Sequence, residues 1–171
     1  MMNTFPNAVE VLDLNYENPI HRKGLLEILD SYASDPMGGG EALQPDVRER
    51  LIPGLRDHPT SKILLACEAQ RPIGIAVCFF NFSTFRARPL LNIHDLAVLP
   101  EWRGKGIGRA LLTAAEIRAL EKGCCKLTLE VRQDNGRARS LYDSFGFSDF
   151  VVGDSEATYF LSKNLKGDSG T

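Results

Sequence analysis

Apolar positions along the chain change period several times, and each change marks an element. "AVEVLDL" alternates near the N-terminus, which predicts a strand. Asn18 followed by Pro19 then supplies an N-cap and a residue whose φ is already helical, so a helix is expected to run toward Ser34. After the loop "SDPMGGGEALQ", whose glycines accept almost any backbone conformation, Pro45 opens a second helix over "PDVRERLIPGLRD". Pro53 lies inside that run, and its missing N–H is expected to kink the helix or end it early.

"KILLACEA" and "IGIAVCFFNF" are β-rich runs separated only by the turn "QRP", the spacing of an antiparallel hairpin. A further strand, "LLNIHDLAV", follows the loop "STFRARP". The period then changes to helical: Ile107, Ala110, Leu111, Ala114, Ala115 and Ile117 recur on one face, and Gly123 is placed to end the helix. "KLTLEV" is a short strand, and "NGRARSLYDSF" is a helix opened by Asn135 and stopped at Gly146. "FSDFVV" and "ATYFLSKNL" read as a closing hairpin, and "KGDSGT" as a disordered tail. The order is β, α, α, three strands, α, β, α, two strands, an α/β (α+β mixed) pattern with no internal repeat. It predicts one domain over residues 1–165 and a tail over 166–171, with a strand, crossover helix and parallel strand at its centre from Leu91 to Val131.

Composition narrows the function classes. With 171 residues, 43% hydrophobic and 25% charged, the chain suits one globular domain with a real core. A net charge of −2 provides no global positive field, which disfavours nucleic acid and anionic membrane surfaces as partners. No run is long enough to span a bilayer and no cationic segment precedes an apolar one near the N-terminus, so a cytoplasmic location is expected. Cysteines 67, 78, 124 and 125 form no CxxC, and histidines 21, 58 and 94 form no HExxH. The cysteines read as reduced packing residues, and no metal site is expected.

The candidate chemistry centres on "RGKGIG", Arg103 to Gly108, directly ahead of the strongest helix. Glycines let backbone approach a ligand closely, and a helix start offers unpaired N–H groups with partial positive charge, so the loop suits an anion such as phosphate or pyrophosphate. A Walker loop needs GxxxxGK[ST], and here Lys105 stands between glycines with no hydroxyl in the required place. A dinucleotide fold gains some support from Glu130, at about the ~20-residue separation of its ribose-binding carboxylate. Yet the glycines read GxGxG, and "LPEWR" intervenes where a tight strand-to-helix turn should be.

The strand "HDLAV", the connection "LPEW", the pattern Arg-x-x-Gly-x-Gly on Arg103, Gly106 and Gly108, and the later "NGRARSLYDSFGF" together resemble the GNAT superfamily of N-acetyltransferases. The specific part of the likeness runs from about Leu91 to Phe147. It implies a central mixed, mostly antiparallel twisted sheet of about six to seven strands with a splayed parallel pair, flanked by about four helices. It also implies acetyl-CoA as cosubstrate. The cofactor arm would lie along the backbone of Leu96, Ala97 and Val98, and its pyrophosphate on the amides of Arg103, Gly104, Lys105, Gly106, Ile107, Gly108 and Arg109. The side chains of Arg103, Lys105 and Arg109 would add charge, and a backbone N–H near Val98 would meet the oxyanion.

The resemblance gives Asn135 a cofactor contact beside its N-cap role, and places Tyr142 at the family's general acid. Tyr142 follows Asn135 by seven residues, about two helical turns, so both face one side. A phenol with pKa near ~10 stays protonated at neutral pH and can donate to a departing thiolate. His94 and Asp95 are the candidate bases; strand alternation would turn them to opposite faces, so one at most would face the substrate. Relatives often carry a carboxylate where His94 stands. Asp35 and Glu41 in the first glycine-rich loop would attract a cationic acceptor. A small primary amine is the expected acceptor, a protein or peptide amine and a non-catalytic acyl-CoA sensor are the alternatives, and a homodimer is expected by family analogy.

Overall fold

The alternating runs form a sheet of five strands within residues 9–148, the residues that the computed structural model describes. In chain order these residues form β1 (Glu10–Asp13), α1 (Pro19–Ser34), α2 (Pro45–Asp57), β2 (Ser61–Glu68), β3 (Arg71–Ser83), β4 (Arg88–Val98), a 3₁₀ turn (Pro100–Trp102), α3 (Ile107–Glu121), β5 (Leu127–Leu129) and α4 (Gly136–Phe145). The sheet order is β1-β2-β3-β4-β5. The first three pairings are antiparallel and β4 runs parallel to β5, with α3 as the crossover. The mixed sheet with its parallel pair is as the sequence pattern predicted, and its mostly antiparallel pairing as the resemblance implied. The closing strands expected over "FSDFVV" and "ATYFLSKNL" and the tail 166–171 lie outside the described residues, apart from Phe147 and Ser148.

Alternation along the central strands feeds two cores. Leu64, Ala66, Ile73, Ala76, Leu91 and Ile93 pack toward α3 and α4, with Leu111, Leu112 and Ala115. Ile63, Leu65, Cys67, Ile75, Val77 and Ala97 face the other side, with Leu25, Ile28 and Leu29 of α1 and Leu55 of α2. Asn18 caps α1 through Oδ1 accepting from the Ile20 amide at 2.9 Å, a contact worth about 1 kcal/mol. Each buried leucine or isoleucine beneath α1 is worth about 1.5–3 kcal/mol, so packing outweighs the cap in holding that helix. Gly24 makes the packing possible, because a Cβ there would lie 2.4 Å from Pro72 Cγ.

Three sequence expectations are corrected. α2 passes through Pro53 and ends at Asp57. Pro53 and Glu49, whose carbonyl loses its partner, both lie on the exposed face, where water satisfies the carbonyl while Leu55 anchors the last turn. The β2–β3 turn consists of Ala69 and Gln70, both at positive φ (46° and 68°), and Arg71 already pairs with Glu68 inside the ladder. On α3 the buried set is Ile107, Leu111, Leu112, Ala115 and Ala119, while Ile117 is 46% exposed.

Two irregularities of β4 create the site. Its pairing with β5 ends at Ile93↔Leu129, so Leu96 to Val98 pair with β3 alone among the described residues. Its register against β3 also slips, Ile93 opposing Cys78 and Asp95 opposing Val77, which leaves His94 as an extra residue in a β-bulge.

Candidate active site

The glycine loop is shaped by two residues with φ that only glycine adopts without strain, Gly104 at 77° and Gly106 at 83°. Gly106 is the N-cap of α3 and supplies no side chain, so no capping group covers the first-turn amides. No atom lies within 4 Å of where a Cβ on Gly106 would sit, so open space reaches the backbone there. Gly108 serves differently: a Cβ there would lie 2.9 Å from Leu141 Cδ2, so this glycine lets α4 pack against the start of α3. A phosphate-bearing ligand fits these residues, since uncapped amides, a positive helix end and bare backbone converge on open space.

A cleft of about 420 Å³ opens above this loop. Of the residues predicted to hold a cofactor it is lined by Leu96, Ala97, Val98, Arg103, Gly104, Gly106, Ile107, Gly108, Arg109 and Asn135. Tyr142 and Asp35 line it as well. The fold therefore brings α4 to β4 and the glycine loop, which it follows only after α3 and β5 in the chain. Lys105 does not line the cleft; its ammonium lies 4.6 Å from the centre of the Trp102 ring. A second cavity of about 960 Å³, between β4 and β5, includes His94 and shares Leu96, Asn135 and Tyr142 with the first.

The cations of the loop are largely committed to the protein. Arg103 donates from Nε to the Val98 carbonyl at 3.0 Å and from Nη1 to Asp35 Oδ2 at 3.0 Å. Asp35 also accepts the Met37 amide at 2.9 Å, and the amide and Arg103 together hold its carboxyl below the usual carboxylate range. Asp35 thus ties the loop after α1 to the loop before α3. Glu41 stays exposed outside both cavities, with its amide donating to the Ala33 carbonyl at 3.1 Å. Arg109 donates to Ser144 Oγ and lies 5.8 Å from the Phe145 ring centre, joining α3 to α4.

α4 positions the acid candidate. Asn135 caps it by accepting the Ala138 amide at 3.1 Å, and Gly146 ends it at a φ of 99°. Tyr142 then sits under the cleft, 8% exposed, with Phe147 edge-on at 5.8 Å. Burial, reinforced by Tyr32, pushes its phenol up to about 12, so the hydroxyl keeps its proton across the neutral range.

The bulge alters the expected geometry of the base candidates. Asp95 opposes Val77, a residue of the α1 and α2 core, and the His94 ring lies 5.7 Å from Phe79, which packs on that core too. Both side chains therefore serve the same sheet face, where strand alternation had predicted opposite ones. Burial raises the Asp95 carboxyl above its ordinary range, with the His94 imidazole opposing the rise. His94 is exposed and Asp95 half-buried.

Sequence reading missed six lining residues: Tyr32, Met37, Trp102, Arg137, Ala138 and Leu141. Tyr32 reaches both cavities from α1, and its phenol is raised by burial and by the Asp95 and Asp35 charges, against a smaller pull from Arg132. The helical pattern marked Tyr32 only as a position on α1. Arg137 stood inside the recognised "NGRARSLY" stretch, and its chain position gave no sign of which cation faces the loop.

Comparison with known proteins adds to this geometry. The family described as "Acetyltransferase (GNAT) family" matches residues 25–147. A thialysine N-epsilon-acetyltransferase from Bos taurus is 38% identical over 86 residues, 49% of this chain and 50% of that protein. The chain thus spans about half the length of that relative. An uncharacterized N-acetyltransferase, YhfO, from Bacillus subtilis is 34% identical over 101 residues, covering 59% of this chain and 68% of the relative. A crystal structure of a probable acetyltransferase superposes with a TM-score of 0.75 at 19% identity, over 90% of this chain and 99% of that one, a likeness of fold.

Proposed function

From the premise that the chain belongs to the acetyltransferase (GNAT) family, we propose that it transfers an acetyl group from acetyl-CoA to a small primary amine by direct attack on the thioester, with Tyr142 as general acid. The observation that carries this reading is the convergence on one cleft of the uncapped glycine loop, the edge of β4 that is unpaired among the described residues, and the Tyr142 phenol. Acetyl-CoA supplies an activated acetyl group whose C–S bond breaks as the C–N bond forms.

The chain's residues account for the rest. The amides from Arg103 to Arg109 hold the anionic end of the cosubstrate, and the edge of β4 at Leu96 to Val98 aligns its arm, as an added strand would. Tyr142 keeps its proton at Oη across the neutral range and delivers it to the departing sulfur, and the second proton shed by the nitrogen as the amide forms restores the phenol. An alkylammonium with pKa about 10.4 must first lose a proton. His94, which lines the adjoining cavity, takes it, and the half-buried Asp95 carboxylate, which lines neither cavity, sits beside it on the same face of β4. Asp35 and Tyr32 line the same cleft from the α1 side.

A small amine acceptor is supported by the relative from Bos taurus, whose name specifies the ε-nitrogen of thialysine. Purified chain, acetyl-CoA and a panel of amines and amino-terminal peptides, read by free thiol release, test the proposal. Turnover on small amines is expected. Turnover on peptides alone would replace the acceptor class, tight binding of acetyl-CoA without any turnover would favour a sensor, and absence of binding would refute the cosubstrate.

A further inference from the structure

Four cations stand at or near the glycine loop: Arg103, Lys105, Arg109 and Arg137. Three are engaged. Arg103 is held by Asp35 and the Val98 carbonyl, Lys105 lies over Trp102, and Arg109 bridges to Ser144 and Phe145. Arg137 lines the cleft and is exposed, with no hydrogen bond, ion pair or ring contact among the described residues. Its guanidinium reaches back over the loop, because a methyl group on Gly104 would lie 3.6 Å from its Nη2. α4 carries it there from a different part of the chain than the loop it overlooks.

On the reading that the ligand is acetyl-CoA, we propose that Arg137 is the side chain that neutralises the diphosphate, and that Arg103 instead braces the loop through Asp35. A guanidinium presents a planar fork of N–H donors that matches two phosphate oxygens at once. An engaged arginine would first have to surrender its bonds to Asp35 or Ser144, which Arg137 need not do. The choice of the diphosphate over the 3′-phosphate follows from position: Nη2 lies against Gly104, inside the loop whose amides receive the ligand.

The test is calorimetric binding of acetyl-CoA to the full chain and to Arg137→Gln and Arg137→Lys variants, with dephospho-CoA, which lacks the 3′-phosphate, as a second ligand. Arg137→Gln should weaken both ligands by about ten- to a hundredfold, the range for losing a hydrogen-bonded charge contact. Arg137→Lys, which keeps the charge but not the fork, should recover only part of that loss. Thermal midpoints without ligand should stay within ~1 °C, since an exposed residue without partners contributes little to stability. An effect on acetyl-CoA that vanishes with dephospho-CoA would assign Arg137 to the 3′-phosphate and overturn the proposal. Unchanged affinity in Arg137→Gln, with normal binding by the parent chain, would refute Arg137 alone. A parent chain that binds neither ligand would overturn the acetyl-CoA reading along with it.

Discussion

Replacing Gly106 by alanine separates two consequences of one φ angle. At +83° an L-residue costs about 1–2 kcal/mol, and nothing within 4 Å of the new Cβ adds a clash. For a chain of this size, 2–4 °C per kcal/mol gives a fall in Tm of about 2–8 °C without ligand. The methyl group would occupy the open space above the loop amides and hold a phosphate off them. Loss of one charge-assisted hydrogen bond, about 1.5–3 kcal/mol, corresponds to roughly ten- to a hundredfold weaker acetyl-CoA binding. Gly123→Ala is the matched control: its φ is +68°, no atom lies within 4 Å of its Cβ position, and it sits beyond the C-terminal end of α3, away from the cleft. Both variants should lose similar stability by calorimetric scanning, and only Gly106→Ala should lose affinity by titration calorimetry. Equal affinity in the two folded variants would refute the claim that a ligand meets the backbone at Gly106.

Tyr142→Phe should lower kcat by about 10²- to 10⁴-fold with acetyl-CoA affinity retained, because the ring stays in its packing and only the proton donor goes; unchanged kcat in steady-state assays would remove the general-acid role. Asp95 gives a pH signature. Because burial raises its folded pKa above the ordinary 3.8, the folded chain binds that proton more tightly than the unfolded one, so stability is highest below pH 4 on this account and declines as pH rises toward the folded pKa. Asp95→Asn should therefore raise Tm at pH 7 and flatten that decline; a lower Tm at pH 7 in a scan series would show that the carboxylate is stabilised by something other than solvent.

Local chemistry was legible in the sequence, and long-range commitments were not. Asn18, Pro45, Asn135, Gly123 and Gly146 mark helix ends because capping is decided within a few residues, and each stands at the boundary it predicted. The glycine loop and the Asn135 to Tyr142 spacing were readable for the same reason. The bulge at His94 was hidden, since a slip in register is a relation between β4 and β3 and leaves the alternation of "LLNIHDLAV" intact. Asp35 and Arg103 are 68 residues apart, and nothing in the spacing of either loop announces their pairing. Arg103, Arg109 and Arg137 look alike as letters; only the fold distinguishes two that hold the protein together from one that faces the open loop.

Gly108 acts as a spacer gauge. The amides that seat an anion stand at the start of α3 and the phenol stands on α4, and the two helices touch with no side chain between Gly108 and Leu141. The separation of anion seat and proton donor is thus calibrated by contact between a bare backbone and one leucine. A Cβ at position 108, now 2.9 Å from Leu141 Cδ2, would need about half an ångström more to reach the ordinary contact distance of 3.4 Å. Misplacement on that scale is enough to slow a reaction that depends on alignment. The third glycine of the loop thereby sets a length, where the first two set a backbone direction.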